Sequence, residues 1–207
     1  FTCGPASLMM AISALAPHYQ PEIDEELQLW REATTIFMTS GHGGCGPHGL
    51  ALAAHRRGLT ASLVINQLGP LFVNSVRSIE KKQILSRVHQ QFLAQMAEVG
   101  MAPCYKHFTL AELEQGLHHG GLPLVLISTY HLDGRKAPHW VVVCAMDSEF
   151  VYIHDPDIDD ASGESIVDKQ YLPIERSCFD RLARYGQSGL RTLVWVFKSK
   201  YELAVRS

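Results

Sequence analysis

Phe1-Thr2-Cys3-Gly4-Pro5-Ala6-Ser7-Leu8-Met9-Met10-Ala11-Ile12 opens the 207-residue chain, and the rest is read outward from it. Pro5 suits a first helical turn, where its missing N–H has no partner to lose. Leu8, Ile12 and Leu15 recur at i, i+4 and i+7, the stripe of a helix that buries one face. Pro17 pushes Ala16 out of helical geometry and ends the run. Cys3 therefore stands at a helix N-terminus, where unpaired N–H groups and the helix dipole favour an anion. A thiol so placed can titrate well below a free cysteine and carry a thiolate near neutral pH. It also suits a small buried hydrophobe, the commoner fate of a cysteine. The stretch alone leaves both open.

The length fits one sizeable domain, taken as residues 1–207, and no low-complexity linker divides it. With 46% hydrophobic and 19% charged residues the chain is an ordinary globular one. A net charge of -3 gives no reason to expect nucleic acid or an anionic membrane as partner. No apolar run is long enough to span a bilayer, and none has the flanks of a signal peptide. The five scattered cysteines suit free thiols in a reducing compartment, so a cytoplasmic location is expected. The chain starts at Phe1 without Met, which suggests the C-terminal part of something longer.

Downstream, 22–37 is helix-compatible, with Leu27, Trp30 and Ile36 expected inward. Thr39-Ser40-Gly41-His42-Gly43-Gly44 reads as a loop. Gly46-Pro47 opens a second helix that Gly58 closes, followed by a strand over 59–65. The longest helical pattern, 78–99, puts Ile84, Leu85, Val88, Phe92 and Met96 on one face. Thr109 with Glu112 makes a capping box for a short helix to about His119. From Pro123 onward β-rich runs take over at 124–130, 140–146, 150–153 and 190–197. Helices first and strands afterwards argue for α+β with an antiparallel sheet, not alternating βαβ units.

A cysteine nucleophile needs a base for its proton, and the base needs a third group to fix its tautomer. His139, where a loop enters the strand Trp140-Val141-Val142-Val143, is the candidate base. The next strand ends in His154-Asp155-Pro156. A hairpin centred near Asp147-Ser148 puts Asp155 opposite Trp140, beside His139. Singly, His139 reads as a strand histidine and Asp155 as an Asp-Pro turn; together with Cys3 they form a nucleophile, base and orienting acid. Cys45-Gly46-Pro47 repeats the layout of Cys3-Gly4-Pro5 and is the rival nucleophile. With His42 and His48 it also spells His-x-x-Cys-x-x-His, a zinc spacing, although a tight helix-entry loop explains it better, and no metal or cofactor is expected. Cys104, Cys144 and Cys178 read as structural, and His118, His119, His131 and His154 have no assigned partner. The acidic run Asp155, Asp157, Asp159, Asp160 fits a solvated loop better than a cation site.

Thr2-Cys3-Gly4-Pro5-Ala6-Ser7-Leu8-Met9-Met10-Ala11 resembles the papain-like cysteine peptidases that process bacteriocin leaders. Residues 44–58 resemble that family's second helix, 138–143 its histidine strand and 152–156 its aspartate strand. Residues 29–37 and 183–191 resemble a soluble bacterial branch in which the domain often follows a GNAT-type acetyltransferase domain. The resemblance implies a papain-like fold, with Cys3 as nucleophile, His139 as general base and acid and Asp155 as orienting residue. It also implies an oxyanion-donating Gln a few residues upstream of the cysteine, where here only Phe1 and Thr2 precede it.

The expected activity is a cysteine peptidase or amidase acting on a peptide or amide through an acyl-thioester on Cys3. An acyltransferase or peptide ligase would use the same acyl-enzyme, and a non-catalytic peptide-binding domain would use only the cleft. The helix 78–99 and the loop 157–168 are expected substrate contacts.

Overall fold

A computed structural model describes residues 2–38, 41–129, 137–158 and 163–199. Helix α1 (Cys3–Leu15) ends where Ala16 turns extended, as Pro17 requires, and buries Leu8, Ala11 and Ile12. Helices α2 (Ile23–Ala33) and α3 (Pro47–Arg56) follow, with Pro47 in the first turn of α3. Between them the short strands β1 (Phe37–Met38) and β2 (Gly41–His42) pair antiparallel. Strand β3 (Thr60–Ile65) leads to α4 (Ile79–Glu98), capped by the Ser78 hydroxyl. After β4 (Cys104–Tyr105), helix α5 (Leu110–His118) starts with the Thr109/Glu112 capping box in place. The second half supplies β5 (Leu122–Ser128), β6 (Pro138–Met146), β7 (Phe150–His154) and β8 (Leu172–Glu175). Helix α6 (Arg176–Leu182) and strand β9 (Thr192–Phe197) complete it.

One seven-stranded sheet runs in the order β4-β3-β9-β5-β6-β7-β8. Every neighbouring pair is antiparallel except β3 with β4, which is parallel. Alternate side chains of each central strand serve two cores. Leu124, Leu126, Val194 and Val196 join the helices α1 and α3 on one face. Val125, Ile127, Leu193 and Trp195 join α5 and α6 on the other. The chain is thus α+β, with the first-half helices on one face of a largely antiparallel sheet.

Several expectations need correction. Helix α2 stops at Ala33, because Thr34 turns extended and bridges to Cys45. Its buried residues are Leu29 and Ala33, whereas Leu27 and Ile36 are exposed. Ile36 lies beyond the helix, at φ 71. The expected loop after it carries the β1–β2 pairing, with Thr39 and Ser40 outside the described residues. On α4, Leu85, Val88 and Met96 are buried but Ile84 is not. Strands β4 and β8 are too short for an alternation pattern to reveal.

Candidate active site

Helix α1 and strand β6 build the site together. Gly4 is what lets them meet. A Cβ there would lie 2.9 Å from the Cys45 Cβ and 3.2 Å from the Trp140 ring, so only glycine admits this approach. One buried hydrogen bond ties α1 to β6, and a second ties β6 to the segment before α3. Ser7 Oγ donates to the Trp140 carbonyl at 3.0 Å, and Trp140 Nε1 donates to the Cys45 carbonyl at 3.0 Å. Cys3, in the first turn of α1, is thereby brought against His139 of β6, whose side chain is buried.

His139 Nε2 lies 2.7 Å from Asp155 Oδ1, which also accepts the Asp157 backbone N–H. The other ring nitrogen is left for Cys3. The register differs by one step from the expected one. Asp147 Oδ1 accepts from the N–H groups of Glu149 and Phe150, which moves the turn along the chain. A bulge at Cys144 then shifts the pairing, so that Val142 lies opposite His154. Asp155 leaves the sheet one residue later, its N–H bonded to the Lys169 carbonyl, and its carboxylate still meets His139.

Charge follows from this geometry. Burial raises the Cys3 thiol, but the His139 hydrogen bond and charge, together with the Trp140 backbone N–H, outweigh it and hold Cys3 below its ordinary value. Burial alone would lower His139; its hydrogen bonds to Asp155 and Cys3 and their charges raise it to about 10. Asp155 is partly desolvated, yet the same histidine keeps its carboxyl below the usual range. The arrangement favours thiolate beside imidazolium over thiol beside imidazole.

The site opens into a cleft of about 480 Å³. Its walls include Glu26 of α2, Met38 and His42 of the β1–β2 pair, Phe72, and the Pro156-Asp157 segment. The sequence marked none of Glu26, Met38 and Phe72, and it marked His42 only as part of a zinc spacing, because each comes from a separate loop or element whose approach is tertiary. Helix α4 does not line the cleft; it packs behind α3, and this corrects its expected role.

Cys45 shares the cleft wall but is buried, and burial with the neighbouring Cys3 charge raises its thiol strongly. Two cysteines with the same Cys-Gly-Pro context thus stand in opposite electrostatic settings. The other members of the zinc spacing diverge. His42 packs edge-on to Trp30, and His48 packs edge-on to His89 at 4.9 Å. Among the described residues no three His, Cys, Asp or Glu side chains gather as a metal would need. Cys144 donates to the Tyr152 carbonyl, Cys178 packs under the second core, and Cys104 is exposed. His119 meets the Gln115 carbonyl, and His154 accepts the Tyr171 N–H. His131, Asp159 and Asp160 lie outside the described residues.

A helix that presents a cysteine to an antiparallel sheet bearing histidine is the arrangement of the C39-like, papain-like peptidase fold. The chain belongs to the Peptidase_C39 like family, whose model matches residues 1–197. Among solved structures it is similar to a candidate C39-like peptidase from Bacillus anthracis. That match has a TM-score of 0.53 and 16% identity, over 96% of this chain and 90% of that one. A search of curated proteins gave no match. No helix among the described residues is long and apolar enough to cross a membrane.

Proposed function

We propose that the protein is a cysteine peptidase or amidase in which Cys3, His139 and Asp155 form the catalytic triad. The observation that carries this is His139 itself, held at 2.7 Å by Asp155 on one nitrogen and shared with Cys3 on the other side of the ring. The Cys3 thiolate attacks the carbonyl carbon of a peptide or amide bound in the cleft. The backbone N–H of Cys3, at the start of α1, supports the developing oxyanion. The His139 imidazolium then gives its proton to the departing amine, leaving an acyl-thioester on Cys3. Neutral His139 takes a proton from water, the hydroxide attacks the thioester, and release of the carboxylic acid restores the ion pair. Asp155 holds the ring in the working orientation throughout and stays ionised.

The scattered free cysteines support a cytoplasmic setting, and the sequence resemblance supports one peptidase-like domain over 1–207 and a covalently linked GNAT-type acetyltransferase domain. Hydrolysis of a peptide-amide library, read by mass spectrometry, tests the assignment. Cys3→Ala should abolish turnover, His139→Ala should reduce it by about a thousandfold or more, and Asp155→Asn by about a hundredfold or more. Turnover that survives Cys3→Ala would overturn it. Adding a primary amine separates water from another acyl acceptor: aminolysis products would favour transferase chemistry on the same acyl-enzyme.

A further inference from the structure

Strand β6 has unequal edges. β5 pairs with it along Pro138–Val142, whereas β7 reaches it only from Val142 onward. Beyond that point Asp155 turns away to bond the Lys169 carbonyl, so the edge at Trp140 has no strand partner. The first turns of α1 take that place. The Trp140 carbonyl accepts from Ser7 Oγ at 3.0 Å, and the Trp140 backbone is among the groups that hold the Cys3 thiol low. Cys3 and Ser7 are one helical turn apart and so lie on one face of α1. Ser7 satisfies the Trp140 carbonyl, as a neighbouring strand would, and Cys3 stands beside the same residue. Ser7 is fully buried, so its hydroxyl has no water to fall back on, and helix packing alone does not call for a serine there.

We propose that Ser7 is a positioning residue: by clasping the open edge of β6 at Trp140 it fixes where α1 holds Cys3 relative to His139. The inference rests on Cys3 being the nucleophile. Without the hydroxyl, α1 keeps its apolar contacts but loses the bond that sets its position along β6, and the buried Trp140 carbonyl is left unmatched. The Cys3–His139 contact then loosens, and the thiolate loses both of its hydrogen-bond donors in part.

The test is the pH dependence of Cys3 alkylation by iodoacetamide, quantified on the Cys3 peptide by mass spectrometry, in wild type, Ser7→Ala and Ser7→Thr. Thermal unfolding of each is followed in parallel. Ser7→Ala should move the half-alkylation pH of Cys3 upward by about one unit. Its kcat should fall about tenfold with KM within about twofold of wild type, since only the reacting pair is disturbed. Ser7→Thr, which restores the hydroxyl, should recover the alkylation profile even if its added methyl costs thermal stability. A Ser7→Ala protein that melts earlier but alkylates with the wild-type profile would overturn the positioning role and leave the peptidase assignment standing. A wild-type Cys3 that alkylates only at the pH of a free thiol would instead overturn the peptidase assignment itself.

Discussion

At the residue scale, the interplay of Cys3, His139 and Asp155 dictates a pH profile. The proposed mechanism needs the thiolate and the imidazolium together, so kcat/KM should rise as Cys3 ionises, below the range of an ordinary thiol, and fall as His139 loses its proton near pH 10. A single titration near 6.5 would mean that His139 is not held by Asp155. The same shifts bear on stability. Raised His139 contributes stability that is complete below 6.5 and fades as the pH rises through about 10. Lowered Asp155 contributes above 3.8 and is lost as the pH falls further. Gly4 offers a purely steric test. Gly4→Ala drives a methyl group into Cys45 and Trp140, so it should cost about 1–3 kcal/mol in denaturant unfolding and slow Cys3 alkylation as α1 is pushed off β6.

At the element scale, the site depends on three chain segments that hold one another by few buried polar contacts. Trp140→Phe keeps the ring in the core but strips the donor from the Cys45 carbonyl, so about 1–3 kcal/mol of stability should be lost in urea unfolding. The packing of α3 against α4 carries a second consequence. His48 is buried, its Nε2 has no hydrogen-bond partner, and burial with His89 nearby lowers it to about 4. A histidine kept neutral in the fold but protonated when unfolded weakens the protein as the pH falls from 6.5 toward 4. His48→Leu should therefore flatten the acid limb of a stability-versus-pH curve, by up to roughly 3 kcal/mol near pH 4. An unchanged acid limb would show that His48 is solvated. This scale also shows what sequence can and cannot reveal. Helices α1, α3 and α5 were legible because their proline, glycine and Thr/Glu signals are local. The meeting of His139 with Asp155 was legible because a hairpin converts sequence distance into spatial distance. The bulge at Cys144 and the Asp147 turn, which move the register by a residue, depend on side-chain hydrogen bonds that no alternation pattern records.

At the scale of the whole molecule, the sheet separates a face that packs on α1, which carries Cys3, from a supporting one that packs on α5 and α6. The supporting face is pinned by Arg191, which is almost wholly buried. Its Nε donates to the Phe108 carbonyl, its guanidinium lies 4.1 Å from the Phe108 ring centre, and Nη2 pairs with Asp180 at 2.8 Å. One side chain thus joins β9, the entry to α5, and α6. Arg191→Met should cost about 1–3 kcal/mol, because the buried Phe108 carbonyl loses its donor and Asp180 keeps only Arg184, while the Cys3 alkylation profile stays that of wild type. Coupled loss of both would mean that the two faces do not act separately. Arg191 could be quoted from the sequence but not interpreted, since its partners come from distant segments. The cleft walls were invisible for the same reason: Glu26, His42 and Phe72 converge only once α2, the β1–β2 pair and the 66–76 segment are folded.

The central claim is that the second half of the chain makes Cys3 a thiolate. It is tested most directly by the pH dependence of Cys3 alkylation in wild type and His139→Ala, read on the Cys3 peptide. Wild-type Cys3 should react well below the pH of a free thiol, and His139→Ala should move that reaction upward by about two units or more, because it removes the donor and the positive charge together. The same curve for both proteins would contradict the account.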